Sequence, residues 1–416
     1  MLQLKKLDYW IISLMFFLLP IDMINGILLH NNINLPLSIS QLFKFSILLL
    51  LVLRLTQNNN KLLLLLISFL SLLIPTLYQV FKQIDLSFLF SDFIKITRYL
   101  LPLLSFLFFA EVFKRNNILN HKRAYGLIKF SYKVLIINIF IKYLGLGYPM
   151  YSFGNIGSRG FFHAGNELSV LLIILCSIIA FNLWKNGKTR QYYLFLILNV
   201  LASITLSSKT GILGILIVFL FIPINPTNLK TNLKRFKKLI LLLFIGLPIV
   251  ISLAWEIIKN STIFVRFVFF WEKLDLLTFI LSNRNNFAER AKNNYTEKYD
   301  FIEKLIGVGQ TKYELLNYNK IVEIDFLDIF FAYGYIGLLL FTLLMVFMMF
   351  QTFKLKRNTF KYEHASFVFM MLFVILSISS IAGHVFNSGM AAIFLGLLFA
   401  LSYLKTNEQE ENNIRL

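Results

Sequence analysis

The chain has 416 residues, of which 57% are hydrophobic and only 15% charged, with 45 phenylalanines, whereas a water-soluble domain is typically about a quarter charged. That composition excludes a soluble enzyme and a disordered chain, and the lone Cys176, set within an apolar run, excludes a disulfide scaffold. Lys and Arg outnumber Asp and Glu by 41 to 21, a net charge of +20, which in a soluble protein would point to nucleic acid; its meaning here depends on where the cations sit.

About 20 predominantly apolar residues are needed to cross the hydrocarbon core of a bilayer. Twelve such runs follow one another: 9–29, 39–55, 62–81, 93–113, 127–147, 166–184, 191–206, 211–224, 239–258, 326–350, 365–381 and 388–404. The first follows Lys5 and Lys6, as a signal peptide would, but it lacks an A-x-A cleavage site and is long enough to span, so it reads as a retained helix. The pair flanking Ser207 to Thr210 is the shortest, joined by a brief turn.

With the N-terminus inside and the runs alternating, 23 Lys and Arg fall in cytoplasmic loops and tails, against 3 (Lys82, Arg159 and Lys209) in the short outer loops. This is the positive-inside pattern, and shifting the count by one helix would destroy it. The expected fold is therefore an all-α polytopic integral membrane protein: a single membrane domain over 1–416, both termini cytoplasmic, and one long extracytoplasmic loop between the ninth and tenth helices. No repeat of fixed period and no motif of an ATP-binding or soluble catalytic domain is visible. Function is left to the membrane bundle and its outer loops.

Arg54 and Lys129, at the cytoplasmic ends of their runs, are counted with the inner loops, which leaves five cations inside the runs: Lys44, Lys95, Arg98, Lys133 and Lys142. Ionisable groups in a bilayer are costly and mark functional interiors or cavities. Lys133 and Lys142, near helix ends, suit snorkelling to the interface. Lys95 and Arg98 are three residues apart, so they share a helix face in the outer half of the fourth span.

The outer loop 148–166, "YPMYSFGNIGSRGFFHAGN", carries the single cation Arg159, followed by His163 and Asn166. Its glycines either let the backbone bend around a polar ligand or simply make turns. The second outer loop, 259–325, is far longer than an ordinary connection, and structureless loops of that length are uncommon unless functional. It opens with "TIFVRFVFFWEKLDLLTFIL", an apolar stretch with charges interspersed that suits a helix lying at the membrane surface. Reading it as a thirteenth span would put four charges in lipid and invert the last three helices.

A helical stretch with Phe301, Leu305 and Ile306 then ends at Gly307 and Gly309. Beyond it, Glu323 and Asp325 stand at the mouth of the tenth helix and Asp328 enters its first turn. Carboxylates at a helix N-terminus are favoured by its dipole; the alternative is acid/base chemistry beside the membrane. Arg159, Arg284, Lys95 and Arg98 together define a candidate basic pocket for a lipid diphosphate.

The twelve runs, "SRGFFHAGNELS", the turn "LSSKTGILG" and the late loop "SNR…GVGQ…VEIDFLDIFFAYGYIGLL" resemble the O-antigen polymerase and O-antigen ligase superfamily of bacterial surface polysaccharide assembly. The resemblance covers the whole chain in architecture, through short motifs. It implies a glycosyltransferase working on the outer face of the bacterial cytoplasmic membrane, on glycans carried by undecaprenyl diphosphate, without nucleotide sugar, metal or other cofactor. Carried over residue by residue, it makes Arg159 and Arg284 the arginines that bind donor diphosphate.

Family ligases place a histidine just before the helix that follows the long loop. Here that region reads "VEIDFLD", with Glu323 and Asp325 and no histidine. This departure favours a polymerase with a carboxylate as base, and His163 in the other loop is the further candidate for that role. The implied partners are the lipid-linked oligosaccharide, membrane lipid, a chain-length regulator and a flippase, with no nucleic acid. The product would be capsule, exopolysaccharide or O-antigen.

The alternatives are a ligase with the same donor but a lipid-core or protein acceptor, and a flippase or transporter, which would more naturally divide its features between two matched halves. A structural or signalling protein is a further reading that nothing in the tails favours. The long loop holds 10 cations against 9 acids, so most of the +20 is a topology signal, and the informative positive charge is the minority outside and within the membrane.

Overall fold

The computed structural model describes residues 2–33, 35, 37–83, 85–115, 118–151, 153–224, 262–356, 363–381 and 383–404, with isolated positions 237, 241, 245, 252 and 259. Among these the regular structure is helical, and β contacts are confined to two isolated bridges, Tyr148 with Gly160 and Tyr151 with Ile156. Among the described residues seven helices are long and apolar enough to cross a membrane: Lys6–His30, Asn59–Lys82, Ser87–Lys114, Ile118–Leu144, Asn166–Lys185, Asp325–Lys356 and His364–Ile381. Shorter apolar helices occupy Lys209–Phe221 and Ala392–Tyr403. The chain is a multi-pass membrane protein. Each expected run is helical over most of its length except 239–258, which apart from the isolated positions 241, 245 and 252 lies outside the described residues.

In chain order the helices are α1 (Leu2–Leu14), α2 (Leu18–His30), α3 (Ile39–Leu55), α4 (Asn59–Gln83), α5 (Ser87–Lys114), α6 (Ile118–Phe140), α7 (Asn166–Lys185), α8 (Thr189–Leu206) and α9 (Lys209–Phe221). The late segment holds α10 (Thr262–Lys273), α11 (Leu276–Leu281), α12 (Arg284–Lys298), α13 (Phe301–Ile306) and α14 (Gln310–Leu316). The last three are α15 (Asp325–Lys356), α16 (Glu363–Ile381) and α17 (Ala392–Ala400). Two compact units result, one of residues 1–11, 42–121 and 277–416, the other of 12–41 and 122–276.

In the first unit α5 runs along α17, and every residue from Leu100 to Ala110 is buried. A stretch apolar on all sides is what a helix at the centre of a bundle requires. Its one hydroxyl, Ser105 Oγ, is satisfied by the Pro102 and Ala392 carbonyls at 3.1 and 3.4 Å. α4 packs on α5, and α15 packs on both α4 and α16.

α15 is broken at Gly334, whose φ of 64° and ψ of −165° leave the helical region. A side chain there would meet Gly307 N and Leu305 O at 2.5 Å. The break frees the Ala332 carbonyl to accept from the N–H groups of Val308 and Gly309 at 3.1 and 2.9 Å. The stretches "GVG" and "AYGY" thus meet backbone to backbone, an approach only glycine permits.

Polar side chains clamp 300–314 onto α4 and α5. Glu303, 1% exposed, accepts from Gln79 Nε2 at 2.8 Å, Lys82 Nζ at 2.9 Å and Lys312 Nζ at 3.1 Å. Asp300 and Glu303 form a reciprocal capping box at the start of α13. Lys95 donates to Glu314 Oε2 at 2.7 Å and to Thr311 Oγ1 at 3.3 Å. Asp92 accepts from the Thr311 N–H at 2.6 Å and from Thr76 Oγ1 at 2.6 Å.

Burial alone would raise the Glu303 pKa, but the Gln79 bond, the Asp300 backbone and the two lysines outweigh it and hold it below the usual carboxylate range. A carboxyl whose folded pKa lies below its unfolded value of about 4.3 contributes stability above that value and loses the contribution as pH falls through the folded one. Stability against thermal unfolding in detergent should therefore fall on acidification below about pH 4.3, and Glu303→Gln should flatten that dependence. An unchanged pH profile in the variant would show that the clamp carries no stability.

In the second unit the 148–163 loop is fixed from several sides. Lys142 Nζ donates to the carbonyls of Asn155 at 2.8 Å and Gly157 at 2.6 Å, so this lysine pins a loop as well as reaching a helix end. Ser158 N–H donates to Thr205 O at 2.8 Å, joining the loop to the end of α8. Ser207 then turns the chain in a left-handed conformation, and Ser208 Oγ caps α9 by accepting from the Gly211 N–H at 3.1 Å. α10 has twelve residues, about 18 Å at 1.5 Å per residue, which is too short to span.

Candidate functional site

Within the first unit three chain segments converge on one ion-paired cluster. Arg284, first residue of α12, donates from Nη2 to Glu323 Oε2 at 2.9 Å and from Nη1 to the Leu281 carbonyl at 3.3 Å. The other carboxylate oxygen, Glu323 Oε1, lies 3.4 Å from His384 Nε2. All three side chains are largely covered, with exposures of 12% for Arg284, 30% for Glu323 and 21% for His384. Burial opposes ionisation of Glu323, but His384 and then Arg284 outweigh it and hold its pKa below the ordinary value.

The backbone around the cluster is strained. Glu323 and His384 have φ of 64° and 53°, and the residues before α12, Ser282 and Asn283, have φ of 52° and 73°. Such left-handed non-glycine residues persist only where the surroundings over-determine them, and they concentrate at functional sites. Gly383, also left-handed, packs so closely on residue 323 that any side chain would overlap the Glu323 carbonyl.

Two buried aspartates, each 2% exposed, hold this backbone. Asp328 accepts the N–H groups of Val322 at 2.9 Å and Glu323 at 3.0 Å, and the Tyr313 hydroxyl at 2.7 Å. Asp325 Oδ2 accepts from Ser379 Oγ at 2.8 Å and from the N–H groups of Val385 at 3.0 Å and Phe386 at 3.3 Å. Asp325 is thus a clasp on the turn that carries His384, and Asp328 a clasp on the turn that carries Glu323.

Several polar atoms here are buried without a partner among the described residues: Arg284 Nε, Asn285 Oδ1 at the start of α12, and Asn387 Oδ1 three residues beyond His384. A side chain at Gly389 would lie 3.9 Å from Lys44 Nζ, so that ammonium also reaches the 383–391 turn. Unpaired buried donors and acceptors of this kind are places for an ordered water or a bound polar group. Next to the cluster, an apolar cavity of about 370 Å³ opens among α4, α5 and α15, with Tyr99, Ile329 and Phe386 in its lining.

The remaining residues singled out in the sequence fall elsewhere. Lys95 is taken by the Glu314 clamp. Arg98, half-buried, makes no hydrogen bond or ion pair among the described residues. In the second unit Arg159 donates from Nη1 to the His163 carbonyl at 2.6 Å, while its Nε is buried with no partner among the described residues. The His163 ring is exposed; its pKa is lowered by partial burial and then by the Arg159 charge.

His384 was not foreseen from sequence, because it lies 61 positions from Glu323 in the polar break "AGHVFNSG" between two apolar runs. That break, with its lone histidine beside glycine, was the available signal. No curated protein matches the chain. A family model described as "O-antigen ligase like membrane protein" matches residues 3–268 and 269–410.

Proposed function

The chain belongs to the O-antigen ligase-like membrane protein family, a glycosyltransferase-like class of surface polysaccharide assembly, and from that premise we propose that it is a polymerase moving a growing glycan from undecaprenyl diphosphate to a lipid-linked repeat unit on the outer face of the cytoplasmic membrane. The observation that supports glycosyl transfer is the Arg284–Glu323–His384 cluster, a cation for a departing diphosphate beside a carboxylate for an attacking hydroxyl; the choice of a polymerase follows from the carboxylates that stand where family ligases place a histidine.

In this mechanism the acceptor hydroxyl oxygen bonds to the anomeric carbon of the donor sugar, the carbon–oxygen bond to diphosphate breaks, and the hydroxyl proton passes to Glu323 Oε2. Arg284 stabilises the charge that develops on the leaving diphosphate, with Arg98 as a further diphosphate contact and Lys44 as an added cation at the 383–391 turn; Arg159, which belongs to the second unit, keeps the diphosphate-binding role that the family resemblance implies for it. The start of α12, which carries no side-chain cap, adds the favourable end of a helix dipole. The first isoprene units of the carrier suit the apolar cavity among α4, α5 and α15.

One coupling follows from the pairing itself. While Arg284 holds Glu323, the carboxylate is a weak base. Donor diphosphate draws the guanidinium to itself, frees Oε2 and raises its basicity, so proton abstraction waits for the donor. Asp325 and Asp328 serve as positioning residues and His384 orients Oε1.

The ligase reading keeps the same donor and cluster but changes the acceptor, and the product separates the two. Deleting the gene should leave single repeat units on the final acceptor and no long chains if this is a polymerase. Long polymer accumulating on undecaprenyl diphosphate would instead establish a ligase.

A further inference from the structure

A second, polar groove of about 510 Å³ lies in the first unit between α12 and the turn that ends α14. On one wall stand Asn286, Glu289, Arg290 and Asn293, on the other Leu315 and Tyr318. Positions 286, 289, 290 and 293 recur at helical spacing and so form one face of α12. That face begins two residues after Arg284 and continues for about 18 Å to residue 298 at 1.5 Å per residue.

The groove is built in advance. Asn294, on the buried side of α12, donates to the Leu316 carbonyl at 2.9 Å and to Asn317 Oδ1 at 3.0 Å, and Asn317 in turn donates to the Tyr313 carbonyl at 2.9 Å. These bonds lock the two walls together. Tyr318 and Asn319 both have φ of 57°, a strained pair that raises the Tyr318 ring, 78% exposed, at the rim. The Arg290 guanidinium carbon lies 5.3 Å from the centre of that ring.

The chemistry of the lining selects its occupant. Asparagine amides both donate and accept, matching hydroxyl groups that do the same. The open tyrosine ring offers a flat surface to the apolar face of a sugar ring, and Glu289 set against Arg290 and Lys298 leaves a small positive excess, not the run of cations that a polyanion needs. We propose that this groove is a saccharide-binding subsite that takes the hydroxyl-rich glycan a few sugar units from the bond being made, apart from the residues that handle diphosphate. This rests on the glycosyl-transfer reading above.

The test uses the full chain in detergent and, as probe, oligosaccharides of a few repeat units released by mild acid from the host cell's own surface polymer, free of lipid and phosphate. Titration followed by saturation-transfer NMR should show binding to the wild type, at least a tenfold weakening in Tyr318→Ala and in Asn293→Ala, and retention in Tyr318→Phe, which keeps the ring. In cells Tyr318→Ala should shorten the polymer without abolishing it. Absence of binding to the wild type, or equal binding in Tyr318→Ala, overturns the proposal. Because the probe carries no diphosphate, this outcome is independent of whether Arg284 serves transfer; normal polymer from Arg284→Ala would sink the transfer reading and leave the groove to be decided by titration.

Discussion

Arg284→Ala is expected to lower glycan transfer by about 10²–10³-fold, the range seen when a preorganised donor to developing negative charge is removed, with the protein still inserted in normal amount. The physical reason is the position of the guanidinium. It is mostly buried, its Nε has no partner among the described residues, and its Nη2 is committed only to Glu323. Removing it takes away the leaving-group cation in a covered site where charge interactions are weakly screened. Arg284→Lys should recover only part of the loss, because an ammonium lacks the planar fork that grips two oxygens at once. The measurement is polymer formed per unit of inserted protein; full activity in the alanine variant would remove Arg284 from the mechanism.

Glu323→Gln is the second large effect, expected at about 10²–10⁴-fold, the usual contribution of a positioned general base. The amide keeps the shape of the carboxyl and can still accept from Arg284, yet it cannot take a proton. Its companion is a pH profile. His384 is among the groups that hold the Glu323 pKa down, so His384→Gln should raise that pKa and move the acidic limb of activity to higher pH, with less effect at neutral pH. An acidic limb that stays in place would show that Glu323 does not titrate in the reaction. If Glu323→Gln retains activity while His384→Gln loses it, the proton goes to the imidazole and Glu323 serves to orient it.

The helices were legible in the sequence because spanning runs are long, continuous and punctuated by charge. Residues 39–55 became α3 with the same bounds, and 365–381 became α16 within two residues. Gly307 and Gly309 were legible as a turn, although the Gly334 break that receives them was not, since isolated glycines inside a long apolar run leave it reading as one helix. Orientation across the membrane rests on charge counting alone.

The candidate site was half legible. Arg284 and Glu323 stood out as polar residues flanking an apolar span, but nothing local separates Glu323 from Asp325 or Asp328. Their difference is tertiary: Asp325 and Asp328 spend their lone pairs on backbone N–H groups, while Glu323 faces the Arg284 guanidinium and the His384 ring. Lys95 looked like Arg98 by spacing, yet Glu314, 219 positions away, takes one and leaves the other. His384 had the same defect in reverse, a lone histidine whose partner is set by folding.

With purified protein and a radiolabelled undecaprenyl-diphosphate-linked repeat unit, release of undecaprenyl diphosphate can be followed together with growth of the glycan. Wild type should release one diphosphate carrier per bond formed and give chains of several repeats, and Arg284→Ala and Glu323→Gln should do neither. Release at the wild-type rate from both variants, or a wild type that moves the substrate without breaking the sugar–diphosphate bond, would contradict the transfer mechanism.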